Sequence, residues 1–218
     1  MPLKPVSRGT LARDVRSQLS RAIVTGELPA GAPLSEPVLA EKLGVSRAPI
    51  REALIELELR GMVEFDERGR TRVPTLTRDD LKEILAVRTA IDPLAARLAA
   101  ARGDAACLAA IGRNVAATAA AATLADVSRL DTEFHGLIVE ASGNRRLLAC
   151  WNVLEHQVEL WISQMQRQRE AVSPDTHEKT VASHQEIFEA IRSGAVENAE
   201  TLARQHLAGW QETMVFLR

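Results

Sequence analysis

The stretch from Leu34 to Gly61 constrains the fold more than any other part of the chain. It reads LSEPVLAEKLGVSRAPIREALIELELRG, two short helical patterns with a tight break between them. Ser35 is positioned to cap the first helix, and Gly44 permits a turn that a residue with a Cβ would resist. Ser46 is positioned to cap the second helix, and Pro49 is tolerated in its first turn, where N–H groups lack intrahelical partners. The pattern predicts a helix-turn-helix.

The second helix of this pair has one apolar face and one basic face. Arg47 and Arg51 are four residues apart and start at the helix N-terminus. An exposed helical arginine is usually only a solvated charge. A DNA-reading helix, however, needs a buried side that fixes its angle and guanidinium groups that reach the major groove, and both are present here. The residues expected to face inward recur at helical spacing: Ile50, Ala53, Leu54 and Leu57.

Longer matching phrases place this segment in a known family. AIVTGELPAGAPLSE, LAEKLGVSRAPIREAL and LELRGMVEFDERGRTRV run nearly continuously from Leu11 to Val73, and they resemble the GntR family of bacterial transcription regulators, in its FadR-like branch. The resemblance implies a winged helix-turn-helix that binds a double-stranded operator as a homodimer. Pro37 departs from some members, which carry a DNA-contacting Arg nearby. By position, four residues fall on the family's recognition segment: Ser46, Arg47, Ala48 and Arg51.

A short hairpin after Gly61 is expected to form the wing. MVEF and RTRV are β-compatible runs joined by a turn over Asp66–Gly69, whereas the preceding GELPAGAPL is predicted to be an extended loop. A solvated basic turn is one interpretation of this hairpin tip. The resemblance implies the other, a close approach to DNA by Arg68, Gly69 and Arg70.

Charge and composition exclude several classes of protein. Residues 1–77 contain 12 Lys and Arg against 10 Asp and Glu, and the remainder contains 15 against 19, so the small basic excess lies in the N-terminal part. With four Phe, three Trp and no Tyr, stacking on single-stranded bases is an unfavoured recognition mode.

Cys107 and Cys150 form no CxxC motif and are predicted to be buried thiols. The chain lacks a signal peptide and a membrane-length apolar run, so a cytoplasmic protein without membrane contact is expected.

The rest of the chain is predicted to be entirely helical. We divide the whole chain into a flexible leader at 1–9, a winged helix-turn-helix at 10–74, a linker at 75–77 and this helical domain at 78–218. The predicted fold class is therefore mainly α, a winged helix-turn-helix followed by an antiparallel six-helix bundle. AVRTAIDPLAARLAA, LDTEFHGLIVEASGN, ASHQEIFEAIRSG and ARQHL resemble the effector-binding and dimerisation domain FCD in its six-helix form. The predicted helices cover 78–102, 104–121, 124–142, 145–171, 174–193 and 196–217.

One constellation in this domain has metal-ligand chemistry. Asp131 and His135 are four apart on one helix and so project from one face. His184 and His206 lie at comparable distances from the turn at Ser193–Gly194, so an antiparallel hairpin brings them to similar heights. A lone helical histidine is usually a surface or core residue. A carboxylate with three neutral imidazoles, in contrast, suits Zn²⁺, Ni²⁺ or Mn²⁺, and the FCD resemblance implies a metal at these positions.

Arg88 leaves two interpretations open. It can pair with Asp92 one turn further along its helix, or its guanidinium can bind a small carboxylate effector, the effector class that the resemblance implies.

We therefore expect a ligand-responsive DNA-binding regulator, most simply a repressor, that holds a divalent metal and a small organic acid. The alternatives are a constitutive dimeric DNA-binding protein without metal, and a metalloenzyme. The enzyme is disfavoured because neither Glu140 nor Glu186 clearly faces the cluster as a general base.

Overall fold

The computed structural model describes residues 9–75, 77–170 and 176–213, and these form two compact units that divide between Thr75 and Leu76. The mainly helical fold class predicted from the sequence is confirmed. Most of the predicted leader, residues 1–8, lies outside the described residues, and Gly9 already belongs to the first helix. The predicted helix break at Ser173–Pro174 also lies outside them.

The first unit is built around the helix-turn-helix. Its helices are α1 (Gly9–Thr25), α2 (Glu36–Leu43) and α3 (Arg47–Leu59). The predicted inward face of α3 is buried, and α1 packs against α3 with Val15, Leu19 and Ile23 in the core. Gly44 ends α2 in the left-handed conformation at φ 64°, which explains the glycine in the turn.

Neither predicted serine cap forms a side-chain hydrogen bond. Ser35 and Ser46 occupy the N-cap positions of α2 and α3 with extended backbones, but their hydroxyls accept no N–H from the helix. An N-cap side chain bonds the N–H of the second or third helical residue. Pro37 is the second residue of α2 and Pro49 the third of α3, so each proline removes one of the N–H groups that a cap would use.

The wing contains three strands rather than the two predicted. They are β1 (Pro33–Leu34), β2 (Glu64–Phe65) and β3 (Thr71–Arg72), in the order β1-β3-β2. Both pairings are antiparallel, with Leu34 and Phe65 each opposite Thr71. β1 falls in the segment predicted to be an extended loop, because a two-residue edge strand that begins with proline has no strand pattern of its own.

The second unit is a bundle whose described residues form six helices with defined starts. Thr77 and Asp80 make a reciprocal capping box at the start of the bundle. Asp104, Thr123 and Asn144 accept backbone N–H groups at the next three helix starts. The helices are α4 (Arg78–Arg102), α5 (Ala105–Ala119), α6 (Leu124–Ala141), α7 (Arg145–Glu170), α8 (Thr176–Arg192) and α9 (Val196–Thr213).

Helix α4 is central to this bundle, since it packs against α6, α7, α8 and α9. Small residues such as Ala95, Ala96 and Ala99 line its buried face and allow close helix packing. The prediction of two buried thiols is wrong: Cys107 is half-buried and Cys150 is exposed on α7. None of the helices, over the residues that the structure describes, is long and apolar enough to cross a membrane.

Candidate metal centre

Three helices of the bundle bring one carboxylate and three imidazoles together. α6 supplies Asp131 and His135 one turn apart, and the hairpin of α8 and α9 supplies His184 and His206. The three ring centroids are 5.1–5.5 Å apart in every pairing. One potential ligand atom from each of the four residues lies within 4.8 Å of the others. The side chains predicted from helical spacing and hairpin height therefore converge on one small volume.

Asp131, His135 and His184 are buried, His206 is half-buried, and several polar atoms of the cluster have no hydrogen-bond partner. Both carboxylate oxygens of Asp131, His135 Nε2 and both ring nitrogens of His184 are orphaned in this way. His184 Nε2 lies 3.3 Å from Asp131 Oδ1, and His135 Nε2 lies 3.9 Å from Asp131 Oδ2. Each unpaired buried polar group costs about 1–3 kcal/mol. A divalent cation would engage oxygen and imidazole ligands together, so this donor set fits a metal.

Burial keeps His135 and His206 neutral, whereas the neighbouring His184 keeps Asp131 ionised. Burial lowers the pKa of His135, and the nearby Arg88 guanidinium lowers it further. Burial also lowers the pKa of His206 well below its usual value, with His184 and His135 acting in the same direction. Burial alone would raise the pKa of Asp131, but the close imidazole of His184 outweighs it and holds the pKa well below its usual range. Neutral imidazoles and a carboxylate are the protonation states that bind metals.

These lowered histidine pKa values predict that the metal-free protein becomes less stable in acid. Above pH about 6.5, His135 and His206 are neutral in both folded and unfolded chains, so their contribution to stability is fully present. Below it, the unfolded chain binds protons that the folded cluster resists. The free energy of unfolding should fall by up to about 1.4 kcal/mol per pH unit for each such histidine.

Urea unfolding between pH 7.5 and 5 in the presence of a chelator would measure this slope. A variant carrying His135→Gln and His206→Gln should show a flatter dependence on pH. An unchanged slope in that variant would assign the acid sensitivity to other groups.

A second layer of polar side chains surrounds the cluster. Asp92 Oδ2 lies 3.2 Å from His135 Nδ1, and the same oxygen accepts N–H groups from Arg88 at 2.8 and 3.1 Å. His206 Nδ1 lies 2.9 Å from Ser183 Oγ, and its Nε2 accepts the indole N–H of Trp210 at 3.3 Å. The sequence did not indicate that Asp92 and Ser183 face ring nitrogens, because these contacts cross between helices.

Arg88 combines elements of both interpretations left open by the sequence. It is fully buried and pairs with Asp92, as the helical spacing allowed. Its guanidinium also lies 5.7 Å from the centre of the Trp151 ring. Nη1 nevertheless has no hydrogen-bond partner. One donor of the guanidinium therefore remains available to an anionic ligand.

A cleft of about 300 Å³ between α8 and α9 reaches one side of the cluster. Its lining includes Lys179, Ser183, Gln205, His206 and Trp210, so polar donors and one imidazole of the cluster face the same space. Such a mixture of apolar walls and a few polar groups is typical of small-molecule sites. The cleft connects His206 with the surface of the bundle.

In the first unit, every predicted DNA-contacting residue is exposed. Ser46, Arg47, Ala48 and Arg51 lie at the start of α3, on the side away from its buried face. Arg68, Gly69 and Arg70 form the tip of the wing, where Asp66 accepts the backbone N–H groups of Arg68 and Arg70. Asp66 also pairs with the Arg70 guanidinium at 2.7 Å, which partly neutralises that side chain.

Comparison with known proteins matches both units. The family profile described as "Bacterial regulatory proteins, gntR family" matches residues 11–73, and the "FCD domain" profile matches residues 83–209, more than half of the chain. The chain is 32% identical over 216 residues to a Paenarthrobacter nicotinovorans protein named "Probable D-xylose utilization operon transcriptional repressor", with 95% of this chain and 90% of that relative covered.

Two further similarities come from Escherichia coli. The Glc operon transcriptional activator of strain K12 is 28% identical over 226 residues, which cover 92% of this chain and 87% of the activator. The solved structure of McbR/YncC has a TM-score of 0.76 at 20% identity, and the match covers 94% of this chain and 97% of that one. At this identity, the structural likeness shows a shared fold alone.

Proposed function

This chain belongs to the GntR family of bacterial regulatory proteins and carries an FCD domain, and on that premise we propose a metal-containing regulator that responds to a small carboxylate. Its first unit is a DNA-binding winged helix-turn-helix and its second an effector-binding domain, so the protein is a transcription regulator rather than an enzyme. The observation that carries the metal proposal is the largely buried cluster of one carboxylate and three imidazoles, several of whose polar atoms have no hydrogen-bond partner.

We propose that Asp131, His135, His184 and His206 hold one divalent metal ion. Three imidazole nitrogens and one carboxylate oxygen suit Zn²⁺, Ni²⁺ or Mn²⁺ and leave one or two coordination positions for a further ligand. When bound, the ion would supply a Lewis-acid site for an oxygen ligand. The protein's part is to keep His135 and His206 neutral and to bury His135 and His184, while His206 also borders the cleft.

A small carboxylate is the proposed effector. The unpartnered Nη1 of Arg88 supports this choice, because a buried guanidinium N–H without an acceptor favours an anionic ligand. The other edge of the guanidinium stays on Asp92, so the carboxylate would be held by one N–H rather than by the full fork. Lys179 and Gln205 in the cleft beside His206 offer further donors close to the surface.

The first unit is proposed to read the operator through α3 and the wing. Arg47 and Arg51 would contact base edges in the major groove, Ser46 and Ala48 would lie against the DNA, and the wing tip would approach the backbone or minor groove. Because Arg70 shares its charge with Asp66, we assign the larger share of the wing's electrostatic contact to Arg68. Gly69, at φ 72°, allows the close approach of the turn.

A homodimer is proposed because one face of α4 presents apolar side chains to solvent. Val87, Ala90 and Leu94 lie at positions i, i+3 and i+7, and Val87 and Leu94 are 42% and 41% exposed. Such a stripe on an effector domain favours a two-fold contact with a second copy. A monomeric mass in solution at micromolar concentration would contradict it.

We propose that the protein acts as a repressor whose operator affinity changes with the effector. One relative is named a repressor and another an activator, so family membership alone leaves the direction open, and the greater identity to the former supports our choice. The effector can change DNA affinity only through its different affinities for two arrangements of the dimer.

A screen of small carboxylates against operator binding tests the proposal. The operator would first be selected from random-sequence DNA with the wild-type protein. We expect at least one carboxylate to change operator affinity by about 5–150-fold, the usual range of allosteric coupling, and only in metal-loaded protein. Chelated protein is the matched control. An equal response with and without metal would show that the effector acts independently of the metal. If no carboxylate changed operator affinity, constitutive DNA binding would be favoured.

A further inference from the structure

A buried chain of three side chains leads from α4 to the candidate metal site. Arg88 is 0% exposed, and Asp92 and His135 are each 4% exposed. Asp92 Oδ2 receives Arg88 Nε at 3.1 Å and Nη2 at 2.8 Å, and it lies 3.2 Å from His135 Nδ1. All three nitrogens therefore converge on one oxygen, whereas Asp92 Oδ1 has no hydrogen-bond partner.

The chemistry of these groups determines where the proton of His135 lies. An ionised carboxylate can only accept hydrogen bonds, and a guanidinium can only donate them. With Arg88 beside it, Asp92 stays ionised, so the ring nitrogen that faces Asp92 must carry the proton. His135 Nε2 then bears the lone pair. That nitrogen is buried without a hydrogen-bond partner, 3.9 Å from Asp131 Oδ2.

We propose that Asp92 is the positioning residue that holds His135 as the Nδ1-protonated tautomer, with Nε2 directed to the metal, and that Arg88 holds Asp92 in place. The inference rests on the proposed metal site and deepens it. Hydrogen bonding of a ligand histidine to a carboxylate fixes the orientation of the ring and raises its basicity. The Arg88–Asp92 pair then serves the site as well as the packing of α4.

Stability alone does not account for this buried pair. Removing two charges from water is costly, and well-packed hydrophobic replacements of a buried ion pair are often neutral or stabilising. A pair that served only to join two turns of α4 would have no need of a third contact from α6. Asp92 instead presents to His135 the same oxygen that both Arg88 donors hold. The shared oxygen fixes the imidazole against the neighbouring helix.

The decisive experiment removes the pair without leaving an unpaired buried charge. We would compare the wild type with a double variant carrying Arg88→Met and Asp92→Leu, and with Asp92→Asn, which keeps the shape but can donate to Nδ1. Nitrogen-15 NMR of chelated protein above pH 7.5 distinguishes the two tautomers, and the peaks lost in His135→Gln assign His135. Calorimetric titration with Zn²⁺ measures metal affinity.

We expect His135 in the wild type to be one tautomer, protonated at Nδ1, and to become a mixture or the opposite tautomer in both variants. Zn²⁺ affinity should fall by about 10–100-fold, the usual effect of losing a hydrogen-bond partner of a metal-ligating histidine. A matched control, Arg97→Met with Glu200→Leu, removes the exposed pair between α4 and α9 and should change neither quantity.

The outcomes separate the inference from the proposed function. Unchanged tautomer and Zn²⁺ affinity in a folded double variant, with a wild type that binds Zn²⁺, would overturn the role of Asp92 alone. An Nε2-protonated wild type would overturn it directly. A wild type that binds no metal would overturn the proposed function, and the role of Asp92 in metal binding with it. If the double variant does not fold, the same readings on Asp92→Asn decide the question.

Discussion

A variant carrying His184→Gln and His206→Gln is expected to lose its metal, whereas the wild type, purified without chelator or tag, carries about one divalent ion per chain. The two residues lie on α8 and α9, with ring centroids 5.1 Å apart, and they would supply two of the four proposed ligands. Glutamine keeps much of the side-chain volume, so the packing of His184 against Phe134 is disturbed less than by alanine. Elemental analysis of both proteins measures the effect.

Thermal unfolding should report the same loss. A metal present at about 100 times its dissociation constant stabilises the folded state by about 2.7 kcal/mol, provided the unfolded chain does not bind it. For a chain of this size, that corresponds to a shift in Tm of about 5–11 °C. Chelation should lower the Tm of the wild type by this amount and leave the double variant nearly unchanged.

The two remaining histidines provide a matched control. His156 and His177 lie outside the cluster, with His156 beside Glu155 and Glu159, and His177 bonded to the carbonyl of Thr118. A variant with both changed to glutamine should retain its metal. Equal metal content in all three proteins would show that the ion binds elsewhere. A wild type without metal after incubation with Zn²⁺ or Ni²⁺ would remove the central claim about the bundle.

The convergence of the four cluster residues could be predicted because it depends on helical geometry alone. The spacing of Asp131 and His135 fixes a common face on α6. The turn at Ser193–Gly194 fixes the heights of His184 and His206 on the two arms of a hairpin. Both arguments use distances along the chain, and the start of α6 is set by a local cap, Thr123.

The role of Asp92 could not be predicted in this way. Its pairing with Arg88 follows from spacing on α4, but its contact with His135 depends on how α4 and α6 are rotated against each other. Ser183 and His206 pose the same difficulty, since helix rotation decides which nitrogen of an imidazole faces a neighbour. The sequence pattern predicts which face of a helix a residue occupies and how far along the helix it lies. The rotation of each helix against its neighbours is determined by tertiary packing.

The prediction of local structure was wrong where the sequence pattern was too short or too general. β1 comprises two residues, and only its pairing with β3 makes it a strand. Cys150 is predicted to be a buried thiol because free cysteines usually are, yet it is exposed on α7. The serine caps were inferred from residue type, although Pro37 and Pro49 had removed N–H groups that those caps would use.

Substituting Arg47 with alanine is expected to abolish specific operator binding while the fold is kept. Arg47 is the first residue of α3 and is exposed, and among the described side chains none forms an ion pair or hydrogen bond with it. Losing one bidentate base contact costs about 1–3 kcal/mol. A dimer loses it at two half-sites, so affinity should fall by roughly 30-fold to 20,000-fold.

Fluorescence anisotropy with the selected operator and with unrelated DNA separates base reading from charge. Arg13→Ala removes the same charge from the exposed side of α1 and is the matched control. If Arg47 reads bases, its loss should weaken operator binding far more than binding to unrelated DNA, whereas Arg13→Ala should alter both little. If the affinities for operator and for unrelated DNA fell equally, and the salt dependence of binding fell by about one counterion per site, Arg47 would be a phosphate contact instead. Full retention of operator affinity would remove α3 as the reading helix, because its first turn carries the basic face on which that assignment rests.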